Sequence, residues 1–585
     1  MPAPRHYLAI FILSLALLAL EISTARVLSV VLLSHYAFVA VSLAMFGLGL
    51  GALAVYLAPR FFRAERVDAQ VVASLALLGL TAPLATLAFL HVDVVQELSW
   101  AGFRALGLSY TVLAVPFFCG GLGVALLMTH GAAAIGRIYA ADLLGASAGC
   151  LAVVAAMQVL PAPLVALAVG ALASVAALPL ARGGARRLLL PLAGVGLAIA
   201  FALRPELLAL RSVKGVPAGY SEYEAWNAFS RVSAFHFSGN AGGPALGSAS
   251  SGEAPATMML DIDGTAWTPM MQWDGDPAAL GFLRDSVLYL AHHVKPHADV
   301  LVIGTGGGRD LLAARAFDQR SVLGIELNPL MRHIVEERYG DYSGHPYSAG
   351  GTRVVEDEAR SHLAGLDQRF DIIQLSLIDT FSLNAAGGVV FSENYLYTVE
   401  AFREYFRHLT ADGVLTVSRY FAPKYPLELL RLLAMARAAW AAEGVADFAS
   451  HVVVLSQGVN ATMLVKRAPF TPAERGAIAA LARDKGWGTP YLPGQADAHP
   501  DLRALITSDD LPTFFAFYPF LVDPPTDDRP FFFHFLRGPL PELPTAADDP
   551  FQILRQWDDA QRLMYLLLGV VTALAAVFFV GPLLL

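Results

Sequence analysis

The chain of 585 residues is 56% hydrophobic and only 15% charged. A soluble globular protein carries roughly 25% charged residues, so much of this chain is built to face lipid. Its net charge of −9 argues against a nucleic-acid partner, and its two cysteines, Cys119 and Cys150, offer neither a disulfide framework nor a metal-ligand spacing. Apolar sequence runs from Tyr7 to Leu33 and then resumes, which suits a first membrane span rather than a cleavable signal. Further candidate spans are Tyr36–Ala58, Val71–Leu90, Leu106–Met128, Ile138–Leu160, Leu164–Leu180, Leu188–Leu203 and, far downstream, Leu563–Leu584. The spacings Gly47/Gly51 and Gly145/Gly149 allow helices to approach closely.

With the N-terminus in the cytoplasm, Arg5, Arg60, Arg63, Arg66, Arg137, Arg182, Arg186 and Arg187 all lie inside and only Arg104 lies outside. The seventh segment has 16 residues and contains Pro191. That is about 24 Å of helix, short of the roughly 20 residues a span needs. Six full crossings plus an interfacial or re-entrant seventh segment are therefore expected. Arg555 and Arg562 before the last span agree with a soluble domain on the cytoplasmic face of the inner membrane. Glu21, Arg26, His130 and Asp142 are polar residues inside the spans, read as structural glue between helices, with a transport pathway as the sharper alternative. The chain ends on "FVGPLLL" without a polar flank, as a fragment of a longer protein would.

From Ser221 the texture changes. "SRVSAFHF" and "TMMLDIDGTAW" alternate as strands, and the glycine- and serine-rich stretch Ser238–Pro255 reads as a flexible loop. Strands "DVLVIG", "SVLGIEL", "TRVVE" and "FDIIQLSL" then alternate with helices, which predicts a parallel sheet covered on both faces. The expected fold class is thus an α-helical polytopic membrane domain joined to an α/β Rossmann-like domain with a β-hairpin region at its start. The expected divisions are a membrane domain over 1–204, a linker and β-rich part over 205–290, a cofactor-binding domain with its extension over 291–545, and a C-terminal span over 546–585.

Gly304, Gly306 and Gly308 form GxGxG at the end of a strand, where the absence of side chains lets backbone approach a ligand. Arg309 occupies the position of the third glycine of the dinucleotide form GxGxxG, which disfavours NAD. Glu326 ends the next strand, where a carboxylate can accept both ribose hydroxyls. Asp357 or Glu358 ends the third, placed for an adenine amino group. Three such features at three successive strand ends point to an adenosine-bearing cofactor. The plainer reading of the carboxylates is ordinary loop residues.

The stretch from Ser221 to Tyr420 resembles the spermidine synthases (polyamine aminopropyltransferases) within the class I fold of S-adenosylmethionine-dependent methyltransferases. The resemblance rests on "VLVIG", on the strand pair around "LDIDGTAW", and on "SENYLYTVEAFREYFRHLTADGVLTV". "EISTARVLS…GLGLGA", "GRIYAADLLGASAG" and "TDDRPFFF" also look like bacterial proteins in which such a domain is fused to a multi-span region. The resemblance implies S-adenosylmethionine or decarboxylated S-adenosylmethionine as cofactor, a small-molecule amine as acceptor, and room for a homodimer. This chain departs from the family at several points. Gly307 stands for an Asp of the glycine turn, Phe282 and Leu283 for a Tyr-His pair, and Trp267 for a Gln. Of two active-site aspartates three apart, Ser376 replaces the first, the usual general base, and Asp379 keeps the second.

Asp379 is accordingly the candidate catalytic carboxylate, with Asp263, Trp267 and Glu393 as candidate substrate anchors, Trp267 by stacking on a cation. In "PTDDRPFFFHF", Arg529 and Asp528 are expected to pair and the Phe run to pack at the membrane interface; a lid contributing Asp527 or Asp528 is the alternative. Three functions follow: an aminopropyltransferase-like enzyme alkylating an amine, a methyltransferase of a membrane-associated substrate, or a ligand-sensing or transport protein that keeps only the fold.

Overall fold

The computed structural model describes residues 3–32, 39–92, 100–181, 185–219, 221–236, 255–264, 266–378, 393–538 and 552–583. The chain divides into two compact units, Met1–Arg231 with Asp559–Leu585, and Val232–Asp558. Asp379 and most of the glycine- and serine-rich stretch lie outside the described residues.

The first unit is helical: α1 (Pro4–Val31), α2 (Val39–Leu57), α3 (Val67–Leu90), α4 (Trp100–His130), α5 (Ile135–Met157), α6 (Ala162–Leu180) and α7 (Leu189–Ala202). Among the described residues, six helical stretches are long and apolar enough to cross a membrane, and Val41–Leu57 and Met564–Phe578 are shorter apolar helices. The segment expected to be too short is one of the six, because α7 and the turn before it together span Ala185–Ala202. Pro191 falls in the first turn of α7, where the backbone N–H has no helical acceptor to lose. Close approach explains the small residues. A side chain at Gly145 would reach 2.2 Å from the Phe11 carbonyl oxygen, and one at Gly51 2.7 Å from the Leu122 nitrogen, so α1 meets α5 and α2 meets α4 backbone to backbone. Asp142 of α5 accepts a hydrogen bond from Ser14 of α1, and Arg26 donates to Ser29 at 2.9 Å and lies over the Trp226 ring. Both act as glue.

The second unit opens with an antiparallel meander, β1 (Arg231–His236), β2 (Thr257–Ile262) and β3 (Ala266–Met271). An eight-stranded sheet follows. Its strands are β4 (Asp299–Ile303), β5 (Ser321–Glu326), β6 (Thr352–Glu356), β7 (Phe370–Ser376), β8 (Leu409–Tyr420), β9 (Val452–Gln457), β10 (Asn460–Lys466) and β11 (Gly488–Tyr491), in the order β11-β9-β10-β8-β7-β4-β5-β6. The run from β8 to β6 is parallel and the three remaining strands are antiparallel. The direction of strand order reverses between β4 and β7, which makes their C-terminal ends the switch point where ligands bind in open sheets. Helices α8 (Arg309–Ala316), α9 (Ala359–Ala364), α10 (Val399–His408) and α11 (Leu427–Ala442) pack on this sheet. The near-continuous apolar runs of the central strands match burial on both faces: Leu301, Ile373 and Leu415 are buried on one, and Val300, Ile372 and Val414 on the other.

The Phe run corrects the sequence expectation. Phe532, Phe533 and Phe535 are buried in the core of this second unit, not set at a membrane interface. Buried Arg431 of α11 draws the run in by donating to the carbonyls of Phe531, Phe532 and His534 at 2.9, 2.6 and 2.9 Å. Burial pushes the Arg431 guanidinium down to about 10, so it stays charged at neutral pH. The partner of Arg529 is Asp523 at 3.9 Å rather than Asp528. Asp527 instead takes both terminal nitrogens of Arg360, at 2.8 and 2.9 Å, and the Thr398 hydroxyl at 2.7 Å. Burial opposes the charge on Asp527, but these hydrogen bonds outweigh it and hold the carboxyl below its ordinary value.

Phe532→Ala is expected to cost about 3–5 kcal/mol. Truncation of Phe517, which is 84% exposed, should stay within about 0.5 kcal/mol. Denaturant unfolding of the detergent-purified chain reads both; equally small effects would return the run to a surface position.

Candidate functional site

The site is built around the turn that ends β4. The Gly304 nitrogen donates to the Ile325 carbonyl at 2.9 Å, which fixes the exit of β4 against β5. Gly304, Gly306 and Gly308 have φ of +73°, +51° and +86°, in the left-handed region that favours glycine. Gly308 caps α8.

The turn is closed from two sides. From β5, Glu326 Oε2 accepts from the Gly306 nitrogen at 3.0 Å and the Thr305 hydroxyl at 3.2 Å, and Oε1 accepts from the Asn328 nitrogen at 3.0 Å. Burial pushes this carboxyl above its ordinary value, against those hydrogen bonds and a further one from the Thr305 backbone. The buried Tyr347 hydroxyl, held protonated by burial and by the Glu326 charge, donates to the Gly306 carbonyl at 2.6 Å. From β3, the Thr268 hydroxyl accepts from the Gly307 nitrogen at 2.9 Å. A side chain at Gly307 would reach 2.1 Å from the Pro269 carbonyl oxygen. The resembled family's Asp therefore has no room here.

At the end of β6, the Asp357 nitrogen donates to the Glu326 carbonyl at 3.1 Å, so the two strand ends are tied together. The exposed Asp357 carboxylate accepts from His362 at 2.9 Å, which holds its carboxyl below the ordinary value. Glu358 is occupied as the cap of α9, accepting from the Arg360 and Ser361 nitrogens at 3.1 and 2.8 Å. Asp357 also accepts from the Glu358 nitrogen at 2.8 Å, and of the two carboxylates it is the more exposed.

The end of β7 carries a buried polar chain. Burial lowers His292 to about 4, so it is neutral at pH 7. Its Nδ1 accepts from Gln319 at 3.1 Å and its Nε2 donates to Gln374 Oε1 at 2.7 Å. Gln374 Nε2 then donates to the Ser376 hydroxyl at 2.9 Å, which leaves the Ser376 proton to be donated onward. Leu377 follows with φ +53°, a strained value for a side chain branched at Cγ. Fully buried Arg419 fixes the next residue by donating to the Ile378 carbonyl at 2.5 Å, while its Nε binds Glu428 at 2.6 Å.

The expected anchors do not gather at this turn. Asp263 lies at the tip of the β2–β3 hairpin with φ +56°. Trp267, 39% exposed, packs edge-on against Phe235. Strand alternation sends Trp267 and Thr268 to opposite faces, and it is Thr268 that reaches the turn. Glu393 accepts from Tyr395 at 3.0 Å. Leu283 belongs to the apolar cluster around Trp273 and Tyr289, with Phe282 packed against it. Residues missed by sequence reasoning are Thr268, Tyr347, His292, Gln374 and Arg419. Gln374 had a signal, a polar residue inside an apolar strand, and Arg419 a weaker one, a charge near the end of another; Tyr347 had none.

Gly307→Ala should destabilise the second unit by about 1–3 kcal/mol through overpacking. Gly281, with nothing within 4 Å of a added Cβ, is the matched control. An unfolding midpoint unchanged by Gly307→Ala would show that β3 does not press on the turn.

No family model matches the chain, and no curated protein matches it. Among solved structures, the spermidine synthase from Thermotoga maritima aligns at 13% identity over 44% of this chain and 75% of that one, with a TM-score of 0.30. A probable spermidine synthase from Corynebacterium glutamicum aligns at 14% over 57% of this chain and 100% of that one, with a TM-score of 0.34. Human methyltransferase-like protein 13 in complex with SAH aligns at 15% over 35% and 88%, with a TM-score of 0.23. These alignments are partial, at low identity and low TM-score, and the α/β Rossmann-like class of the second unit rests on its own sheet order and parallel run of strands.

Proposed function

We propose that the second unit is a transferase that binds S-adenosylmethionine or its decarboxylated form and alkylates an amine, tethered to a membrane by the helical unit. The observation that carries this reading is the charge of the turn. Phosphate-binding glycine turns offer free N–H groups to an anion. Here the Gly306 and Gly307 nitrogens are already taken by Glu326 and Thr268, and Glu326 brings negative charge to the same place. Such a turn suits a nucleoside without phosphates whose charged centre is a sulfonium. Glu326 Oε1 accepts one ribose hydroxyl in this reading, and Asp357 takes the adenine amino group.

In the transfer step the amine nitrogen attacks a carbon on the sulfonium. A C–N bond forms, the C–S bond breaks, a neutral thioether leaves, and the amine proton passes to a carboxylate. In-line positioning supplies part of the acceleration, and Asp379 is the proton acceptor and attracts the cationic amine. Ser376 contributes a hydrogen bond but holds no charge. Methyl transfer to a membrane-associated acceptor is the second reading; the apolar helices favour it, because such an acceptor would arrive laterally.

Two substitutions test this on the detergent-purified full chain. Glu326→Ala should weaken S-adenosylmethionine binding by about 10- to 100-fold or more, read by calorimetry, as expected for losing a buried charged hydrogen-bonding partner. Asp379→Asn should leave binding intact and abolish release of the thioether product. Full activity in Asp379→Asn would remove the catalytic assignment, and binding without any turnover in the wild type would favour a sensor that keeps the fold.

A further inference from the structure

The glycine turn runs directly into Arg309, the first residue of α8. Its side chain is nine-tenths buried, and among the described residues its Nε and Nη1 make no hydrogen bond. Asp310 beside it balances the charge without filling the donors: its Oδ1 is 3.8 Å from Arg309 Nε and already accepts from the Tyr289 hydroxyl at 3.0 Å. Tyr289 and Tyr420 also face the guanidinium. Tyr420 ends β8, the neighbour of β7, and packs with Tyr289 and Leu377 in one cluster. The Arg309 head group is thereby placed at the switch point, between the end of β4 and the ends of β7 and β8. The turn itself contributes no acid that could pair with it, because Gly307 is closed by the Pro269 carbonyl.

A buried guanidinium cannot shed its proton, and each donor left open there is costly. The group that satisfies it best is a carboxylate, which accepts charge-assisted hydrogen bonds from the fork of an arginine. The two candidate cofactors differ in that one group: S-adenosylmethionine has an α-carboxylate and the decarboxylated form does not. We propose that Arg309 is the specificity-determining residue of the cofactor site, holding the α-carboxylate of S-adenosylmethionine and selecting it over the decarboxylated form. This rests on the transferase reading above and narrows it, since the group transferred is then methyl or 3-amino-3-carboxypropyl rather than aminopropyl.

The test is calorimetric titration of the purified full chain with S-adenosylmethionine, decarboxylated S-adenosylmethionine and methylthioadenosine, which has no amino-acid tail. The wild type should bind S-adenosylmethionine at least about tenfold more tightly than the decarboxylated form, the scale of one charge-assisted hydrogen bond. Arg309→Gln should bring the two to near equality, and Arg309→Lys should keep part of the preference. Methylthioadenosine should bind all three proteins alike, which also reports that the variants are folded. Equal affinity for the two tailed cofactors in the wild type, or preference for the decarboxylated form, overturns the inference without any variant. An equal loss of methylthioadenosine binding in Arg309→Gln overturns it as well, by assigning the residue a structural role. Methylthioadenosine binding without discrimination leaves the transferase reading standing, whereas binding of none of the three to folded wild type removes both.

Discussion

Four residues, Thr305 to Gly308, carry contacts on which the rest of the second unit depends. Their backbone is gripped by a carboxylate from β5, a hydroxyl and a carbonyl from β3, and a phenol from the loop before β6. None of these contacts tolerates a side chain at Gly306 or Gly307, where the nearest β3 atoms would lie 2.7 and 2.1 Å away. The meander is therefore seated on the turn rather than merely linked to the sheet. The start of α8, the position of Arg309 and the tie between β5 and β6 all follow from the same four residues.

How much of this the sequence disclosed depends on how far the cause lies along the chain. The glycines and Glu326 are legible because a strand, a turn and the next strand end fall within about two dozen residues and obey one local pattern. Thr268 is not legible. It lies 39 residues from Gly307, and nothing in "AWTPM" says which face of β3 meets the turn. The larger Trp267 drew the functional reading and its smaller neighbour makes the contact. The Phe run failed for a related reason. Dense aromatics mark a membrane interface and a packed core equally well, and what decides between them here is Arg431, about a hundred residues upstream. At Pro191 the proline sits in the first turn of a 14-residue helix, where it costs no helical hydrogen bond, and the stretch reaches 18 residues only with the turn before it.

The membrane helices show the same division. Their existence is written in composition, and the glycine spacings mark close approaches on α2 and α5 without naming the partners, which are α4 and α1. Polar partners were only half legible. Asp142 is visible as an acid in an apolar helix, but Ser14, which donates to it from more than a hundred residues away, has no distinguishing context.

The end of β7 bears on which groups could take a proton under the transferase reading. A general base needs a pKa near the working pH. The chain of Gln319, His292, Gln374 and Ser376 offers none: His292 is held neutral by burial, and a serine hydroxyl does not retain a proton taken from an amine. This relay is a polar scaffold that orients one hydroxyl. The backbone at the end of this strand is held under constraint. Leu377 is held in a left-handed conformation that costs of order 1–3 kcal/mol, and Arg419, clamped by Glu428, grips the Ile378 carbonyl. Strain of that kind persists only where surrounding contacts over-determine the backbone. Here they hold the backbone of Leu377 and Ile378 directly after the hydroxyl that the relay orients.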